Sequence, residues 1–96
     1  MADATSSDWY VYMVRCADSS LYTGIAKDVV KRVGEHNNNN ASAAKYTRAR
    51  RPVRLVYQEA CVSHSHAARR EYEIKQMSRV QKEALLAADV SVASAH

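Results

Sequence analysis

Two tyrosines, Tyr12 in Tyr10-Val11-Tyr12 and Tyr22 in Tyr22-Thr23-Gly24, stand ten positions apart in strand-like surroundings. Phenols that converge on one point can orient a water or pass on its proton. Unaided, a phenol with a pKa of about 10 is a poor base near neutrality. Arg32 and His36 follow, four positions apart, and then Glu71. A guanidinium presents a fork of donors that matches phosphate oxygens, and a histidine exchanges its proton close to neutral pH. The chemistry these types suggest is hydrolysis at a phosphate, provided that distant segments bring them together.

The elements that must do so can be outlined from pattern. Tyr10 to Arg15 and Leu21 to Ile25 have strand composition, and Cys16-Ala17-Asp18-Ser19-Ser20 between them has turn chemistry. This predicts a hairpin. With an odd number of loop residues, opposed positions sum to an even number and both tyrosines point to one face. Asp28 is a candidate N-cap for a helix reaching about Asn37, with Val29, Val30 and Val33 as its apolar stripe. At about 100° per residue, Arg32 and His36 fall together at the edge of that stripe, and Lys31 and Glu35 on the wet side.

The run Asn37 to Asn40 ends this helix and opens a long connection, expected to be mobile. Pro52 precedes a third strand over Val53 to Ala60, alternating at Val53, Leu55 and Tyr57. Ser63 or Ser65 caps a helix to about Met77 with Ala67, Ile74 and Met77 inside. Glu71 lies toward that inner face and Glu73 away from it, and an i,i+4 ion pair with Lys75 is the competing role for Glu71. Ser78-Arg79-Val80-Gln81 is a capping box for a last helix ending near Ala87. The expected fold is α+β: a small three-stranded antiparallel sheet flanked by helices, in the order ββαβαα. The domain is expected over residues 9–87, between flexible tails at 1–8 and 88–96.

The 96 residues suffice for one modest core, and no apolar run of 18 or more occurs, which excludes a transmembrane helix. The polar, acidic first eight residues are unlike a secretory signal, and Cys16 and Cys61 form no CxxC pair, so a cytoplasmic protein with reduced thiols is expected. His36, His64, His66, Cys16 and Cys61 show no zinc-ligand spacing. The net charge is +4. Much of it is concentrated in Lys45, Arg48, Arg50, Arg51 and Arg54, a stretch without acids in which Tyr46 is interleaved. Such a loop suits a polyanion, because guanidinium groups neutralise phosphates and an aromatic ring stacks on a base. No element suggests a dimer seam, so a monomer is expected.

Tyr10-Val11-Tyr12, Tyr22-Thr23-Gly24, Arg32, His36 and Glu71, in this order and on these elements, resemble the GIY-YIG nuclease superfamily, in particular its small single-domain bacterial branch. Lys45-Tyr46-Thr47-Arg48, Arg51-Pro52-Val53 and Arg70-Glu71-Tyr72-Glu73-Ile74-Lys75 also resemble stretches of that branch, and the likeness spans residues 9–86. The resemblance implies a metal-dependent endonuclease acting on DNA, with RNA as the second candidate. It implies that Tyr12 and Tyr22 line the site, one of them contacting or deprotonating the attacking water, that Arg32 contacts the scissile phosphate, and that His36 is a further hydrogen-bonding group. Of the phenols Tyr22 is favoured as the base, with Tyr12 as its partner and His36 as an alternative proton acceptor. Glu71 is implied to be the sole protein ligand of Mg²⁺ or Mn²⁺, which suits an ion that keeps most of its waters. The chain departs from the pattern at Val11, at Thr23, and at Ile25, where related DNA-repair nucleases commonly carry a lysine. That last departure keeps open a catalytically silent nucleic-acid-binding module of the same fold.

Overall fold

A computed structural model describes residues 8–41 and 43–94. The hairpin forms as β1 (Trp9–Arg15) and β2 (Leu21–Ala26), with Tyr12 opposite Gly24 and Tyr22 opposite Val14. Both sums are even, so the tyrosines share a face as expected. The turn between the strands is closed by Asp18, whose carboxylate accepts from the backbone and hydroxyl of Ser20, and Ser19 takes a left-handed φ of 72°. Helix α1 (Val29–Asn38) starts at Asp28, whose side chain accepts from the Lys31 N–H. A four-residue helix that the sequence pattern does not predict, α2 (Lys45–Arg48), interrupts the connection. Strand β3 (Arg54–Cys61), α3 (His64–Lys75, capped by Ser63) and α4 (Arg79–Ser94) complete the chain. The three strands form one antiparallel sheet in the order β2-β1-β3.

The two faces of β1 carry two cores. Val11 and Met13 pack with Tyr57, Cys61, Ala67, Ile74 and Leu86, under α3 and α4. Tyr12, Val14 and Cys16 pack with Ala26, Val29 and Val53, under α1. The cysteines therefore lie in different cores and are free thiols. Helix α4 is tied to the hairpin turn by Arg15, which donates two bonds to the Glu83 carboxylate at 2.7 and 2.9 Å. The Ser78–Gln81 capping box is reciprocal, backbone to side chain in both directions.

Several expectations are corrected. The third strand does not keep Val53, Leu55 and Tyr57 on one face: a register shift opposite Met13/Val14 puts Val53 in the α1-side core and Tyr57 in the other. One extra residue in a strand reverses every side chain beyond it. Val30 is 80% exposed rather than part of the inner stripe. Glu35 is not on the wet side but half-buried and paired with Arg32 at 3.0 Å. Helix α4 continues past Ala87 to Ser94. The asparagine run is held in place rather than acting as a slack linker. The Asn37 amide grips the backbone of Val53 through two hydrogen bonds of 2.9 and 2.7 Å, and Asn40 accepts from Arg51. Thr23, one of the departures from the family pattern, is 3% exposed and its hydroxyl has no partner among the described residues.

Apart from Thr23, the buried polar residues of the described chain are His36 and Thr47, both fully enclosed. His36 bridges the sheet to the connecting segment: Nε2 lies 2.7 Å from the Tyr12 hydroxyl and Nδ1 lies 2.8 Å from Thr47 Oγ1. A charged imidazole is disfavoured there. Burial, reinforced by the nearby Arg32 and Arg51 and opposed by Glu35, lowers its pKa from 6.5 to about 4.

Two outcomes follow from this packing. An alanine at Gly24 would set its Cβ 2.7 Å from Tyr12 Oη and 2.9 Å from Cζ, against a ring with nowhere to move. Gly24→Ala is expected to cost about 1–3 kcal/mol of stability, an overpacking penalty, read by urea unfolding. The second concerns pH. The unfolded chain protonates His36 near pH 6.5 and the folded one only near pH 4, so the unfolded state binds more protons in that window. This contribution to stability is present above about 6.5 and is lost as pH falls toward 4, by about 3 kcal/mol over the full window. A His36→Gln variant should be less stable at pH 7 and should lack that part of the slope in urea titrations between pH 7 and 5.

Candidate active site

Tyr12 is on the central strand and is 1% exposed. Its ring can lie across the neighbouring strand because Gly24, directly opposite, has no side chain. This is the local reason for a glycine two residues after Tyr22. The Tyr12 hydroxyl is pushed up to about 12, first by burial and then by Tyr22, with Glu71 adding to the rise and Arg32 opposing it. One phenol thus feels the second phenol, the guanidinium and the carboxylate at once, although these come from four different elements.

Tyr22, half-buried on the edge strand, is the more open of the two phenols. Its ring meets His36 edge-on at 5.3 Å and stacks on Tyr46 at 5.9 Å with 28° between the planes. The Arg50 guanidinium covers Tyr46 at 3.9 Å. Arg32 projects from α1 and pairs with Glu35 at 3.0 Å, and its charge acts on the Tyr12 phenol; burial works against that charge, yet these partners leave its pKa raised. His36, expected at a core boundary, is instead enclosed behind Tyr12.

Glu71 reaches the same region from α3, which packs on the other face of the sheet. It can do so because β2 is an edge strand and α3 lies against it. Its carboxylate is 23% exposed and 3.2 Å from Lys75 Nζ, and that ammonium is 6.0 Å from the Tyr22 ring. Glu71 thus forms the i,i+4 pair while lying within electrostatic reach of Tyr12. Glu73 points to solvent and pairs with Arg70 at 3.3 Å.

Among the described residues no group of three or more His, Cys, Asp and Glu could hold a metal ion. His64 packs edge-on against Trp9 at 4.6 Å, and His66 Nδ1 accepts from the Val62 N–H. Glu71 is the carboxylate within electrostatic reach of Tyr12, and it holds the Lys75 ammonium at ion-pair distance.

The basic stretch divides by what its side chains hold. Arg51 turns inward, donating to the His36 carbonyl at 2.6 Å and to Asn40 at 2.8 Å. Arg50 pairs with Asp18 at 3.0 Å, and Arg48 donates to the Asn40 carbonyl. Lys45 is exposed on α2, and Arg54 is exposed at the start of β3. Three residues at the site had no role assigned from sequence. Lys75 was legible only as an ion-pair partner, four positions after Glu71. Glu35 was placed on the wrong side of its helix. Thr47 carried no signal at all, because its importance depends on α2 docking against α1.

The model of the GIY-YIG catalytic domain matches residues 8–84, which include all five candidate residues. A UPF0213 protein of Desulfotalea psychrophila is 52% identical over 80 residues, 83% of this chain and 72% of its own length. One of Staphylococcus saprophyticus is 58% identical over 73 residues, 76% of this chain and 87% of its own. The solution NMR structure of a UPF0213 protein from Bacillus halodurans superposes with a TM-score of 0.54 at 45% identity, covering 83% of each chain. That of a protein from E. faecalis gives 0.56 at 28% identity over 90% of each. The chain belongs to the GIY-YIG catalytic-domain family, among its UPF0213 relatives.

Proposed function

We propose that the protein is an endonuclease hydrolysing phosphodiester bonds in DNA, with RNA as the second candidate substrate, and that it works with a divalent cation, Mg²⁺ or Mn²⁺. The observation that carries this reading is the convergence of the two phenols and the later helix on His36 and Tyr22: Tyr12 lies 2.7 Å from His36, the Tyr22 ring 5.3 Å from it, and Lys75, paired with Glu71 at 3.2 Å, 6.0 Å from the Tyr22 ring. Phosphodiester hydrolysis requires a positioned water, donors on the non-bridging oxygens and relief of charge on the leaving oxygen. Arg32 supplies the donors. Tyr22, the more open phenol, orients the water and accepts its proton, and Tyr12 behind it fixes the position of Arg32. Glu71 would hold the cation, which when bound polarises the phosphate and neutralises its charge. Lys75 occupies the Glu71 carboxylate until then, keeping it from being an isolated charge.

On this reading nucleic acid follows a surface running from the Tyr46–Arg50 stack over Lys45 and Arg48 to Arg54, a course supported by the exposure of Lys45, Arg48 and Arg54. Arg51 braces that surface from beneath. A silent binding module is the second reading, favoured by Ile25, which brings no cation to Tyr22 from the strand.

Nicking assays on single-stranded, duplex and branched DNA, and on RNA, with Mg²⁺ or Mn²⁺ test the reading. Glu71→Ala and Tyr22→Phe are each expected to lower the rate by about 100-fold or more; cleavage indifferent to both would sink the site assignment. Binding without cleavage under either metal would establish the silent module instead. Lys45→Ala with Arg54→Ala should weaken binding to all sequences alike and flatten the salt dependence by about one unit per lost phosphate contact. Arg51→Ala should act on the fold, costing about 2 kcal/mol in urea unfolding as its bonds to His36 and Asn40 are lost.

A further inference from the structure

His36 has two ring nitrogens, and which of them carries the hydrogen decides what Tyr12 can do. The neighbouring heavy atoms point to one choice. Thr47 Oγ1 lies 3.0 Å from the Ala44 carbonyl, the bond that a threonine commonly makes to the backbone three residues earlier in a helix. A hydroxyl has a single hydrogen, and here it is committed to that carbonyl. Toward His36, 2.8 Å away, Thr47 can then only accept. Nδ1 must carry the hydrogen, and in a neutral imidazole Nε2 is bare. Neutrality agrees with the depressed pKa of this enclosed ring. Nε2 in turn can only accept from the Tyr12 hydroxyl at 2.7 Å. The Tyr12 oxygen has then spent its hydrogen inward, and its lone pairs remain for Arg32, whose charge acts on the same phenol.

We propose that Thr47 is a positioning residue of the active site: through a one-way chain of hydrogen bonds, Tyr12 to His36 to Thr47 to the Ala44 carbonyl, it sets the His36 tautomer, turns the Tyr12 lone pairs toward Arg32 and so orients that guanidinium. Each link polarises the next, so the chain is stronger than its bonds taken singly. Were the hydrogen on Nε2, it would point at Tyr12, and the phenol oxygen would have to accept from His36 while its own hydrogen turned toward Arg32, a donor facing a donor. The acceptor that prevents this belongs to α2, the four-residue helix whose sole enclosed side chain is Thr47. The inference extends the nuclease reading by naming what orients its phosphate-binding arginine, and it rests on that reading for its catalytic consequence alone.

The ¹⁵N resonances of the His36 ring, recorded on the full chain at pH 7.5, test it without any cleavage assay. The expected spectrum has a pyrrole-type Nδ1 and a pyridine-type Nε2, kept in Thr47→Ser and lost or mixed in Thr47→Val. Thr47→Ala serves the same purpose should the valine variant not fold. With cleavage measured in parallel, Thr47→Val should lower kcat by about 10- to 100-fold, the usual scale for a group that orients a reacting side chain. Its affinity for nucleic acid should change less than about twofold, and Thr47→Ser should restore the rate. An Nε2–H ring in the parent protein, or an unchanged Nδ1–H ring in the variants lacking the hydroxyl, overturns the proposal. A parent protein that cleaves nothing overturns the nuclease reading but leaves the tautomer to be read as before.

Discussion

The site depends on burying a phenol and an imidazole together at the centre of a very small protein. Tyr12 is on the middle strand and His36 on the helix above it, 2.7 Å apart and both almost without solvent. A buried polar group that lacks a partner costs about 1–3 kcal/mol, so each must be satisfied by a neighbour. Gly24 provides the space, Thr47 the second partner of the imidazole, and Arg32 the second partner of the phenol. The hairpin register, the helix phase and the docking of α2 are all tied to this one pair. An error in any of them would leave a polar atom unpaired in the core.

Several charged side chains of the described residues are held in ion pairs. Arg32 has Glu35, Glu71 has Lys75, and Arg15 and Arg79 share Glu83. Two arginines beside Glu83 hold its carboxyl down at about 2. This pairing keeps neighbouring positive groups from repelling one another. The Arg50–Tyr46–Tyr22–His36 column extends the same economy to the surface, where a cation, two phenols and an imidazole pack edge or face against one another. Lys75 brings to the Tyr22 ring, from α3, a cation that Ile25 on the strand does not supply. The same chemical type can reach a site from a different element when the edge strand leaves the way open.

Much of the fold was legible because it rests on local rules. The Asp28 and Ser63 caps, the Ser78–Gln81 box and the hairpin parity are decided within a few residues, and the structure keeps them. What was misjudged depends on partners far along the chain. Strand β3 looked like simple alternation, but pairing with β1 absorbs one extra residue and turns Tyr57 to the other core. Glu35 looked wet because helix phase alone cannot see Arg32 turning toward it. The asparagine run looked slack because its bonds reach Val53 and Arg51, across the connection, and not its own neighbours.

By itself the sequence determined the inventory: two phenols on one face of a hairpin, an arginine and a histidine one turn apart, and a carboxylate on a later helix. Periodicity and register settle which side of an element a residue occupies, and these follow from backbone geometry alone. Only the tertiary structure decided how the inventory works. It enclosed His36 where a boundary position was expected, brought Glu71 round the edge strand, and set the Thr47 hydroxyl against Nδ1. Hydrogen-bond direction and desolvation are properties of groups that meet in space, and no spacing along the chain records them.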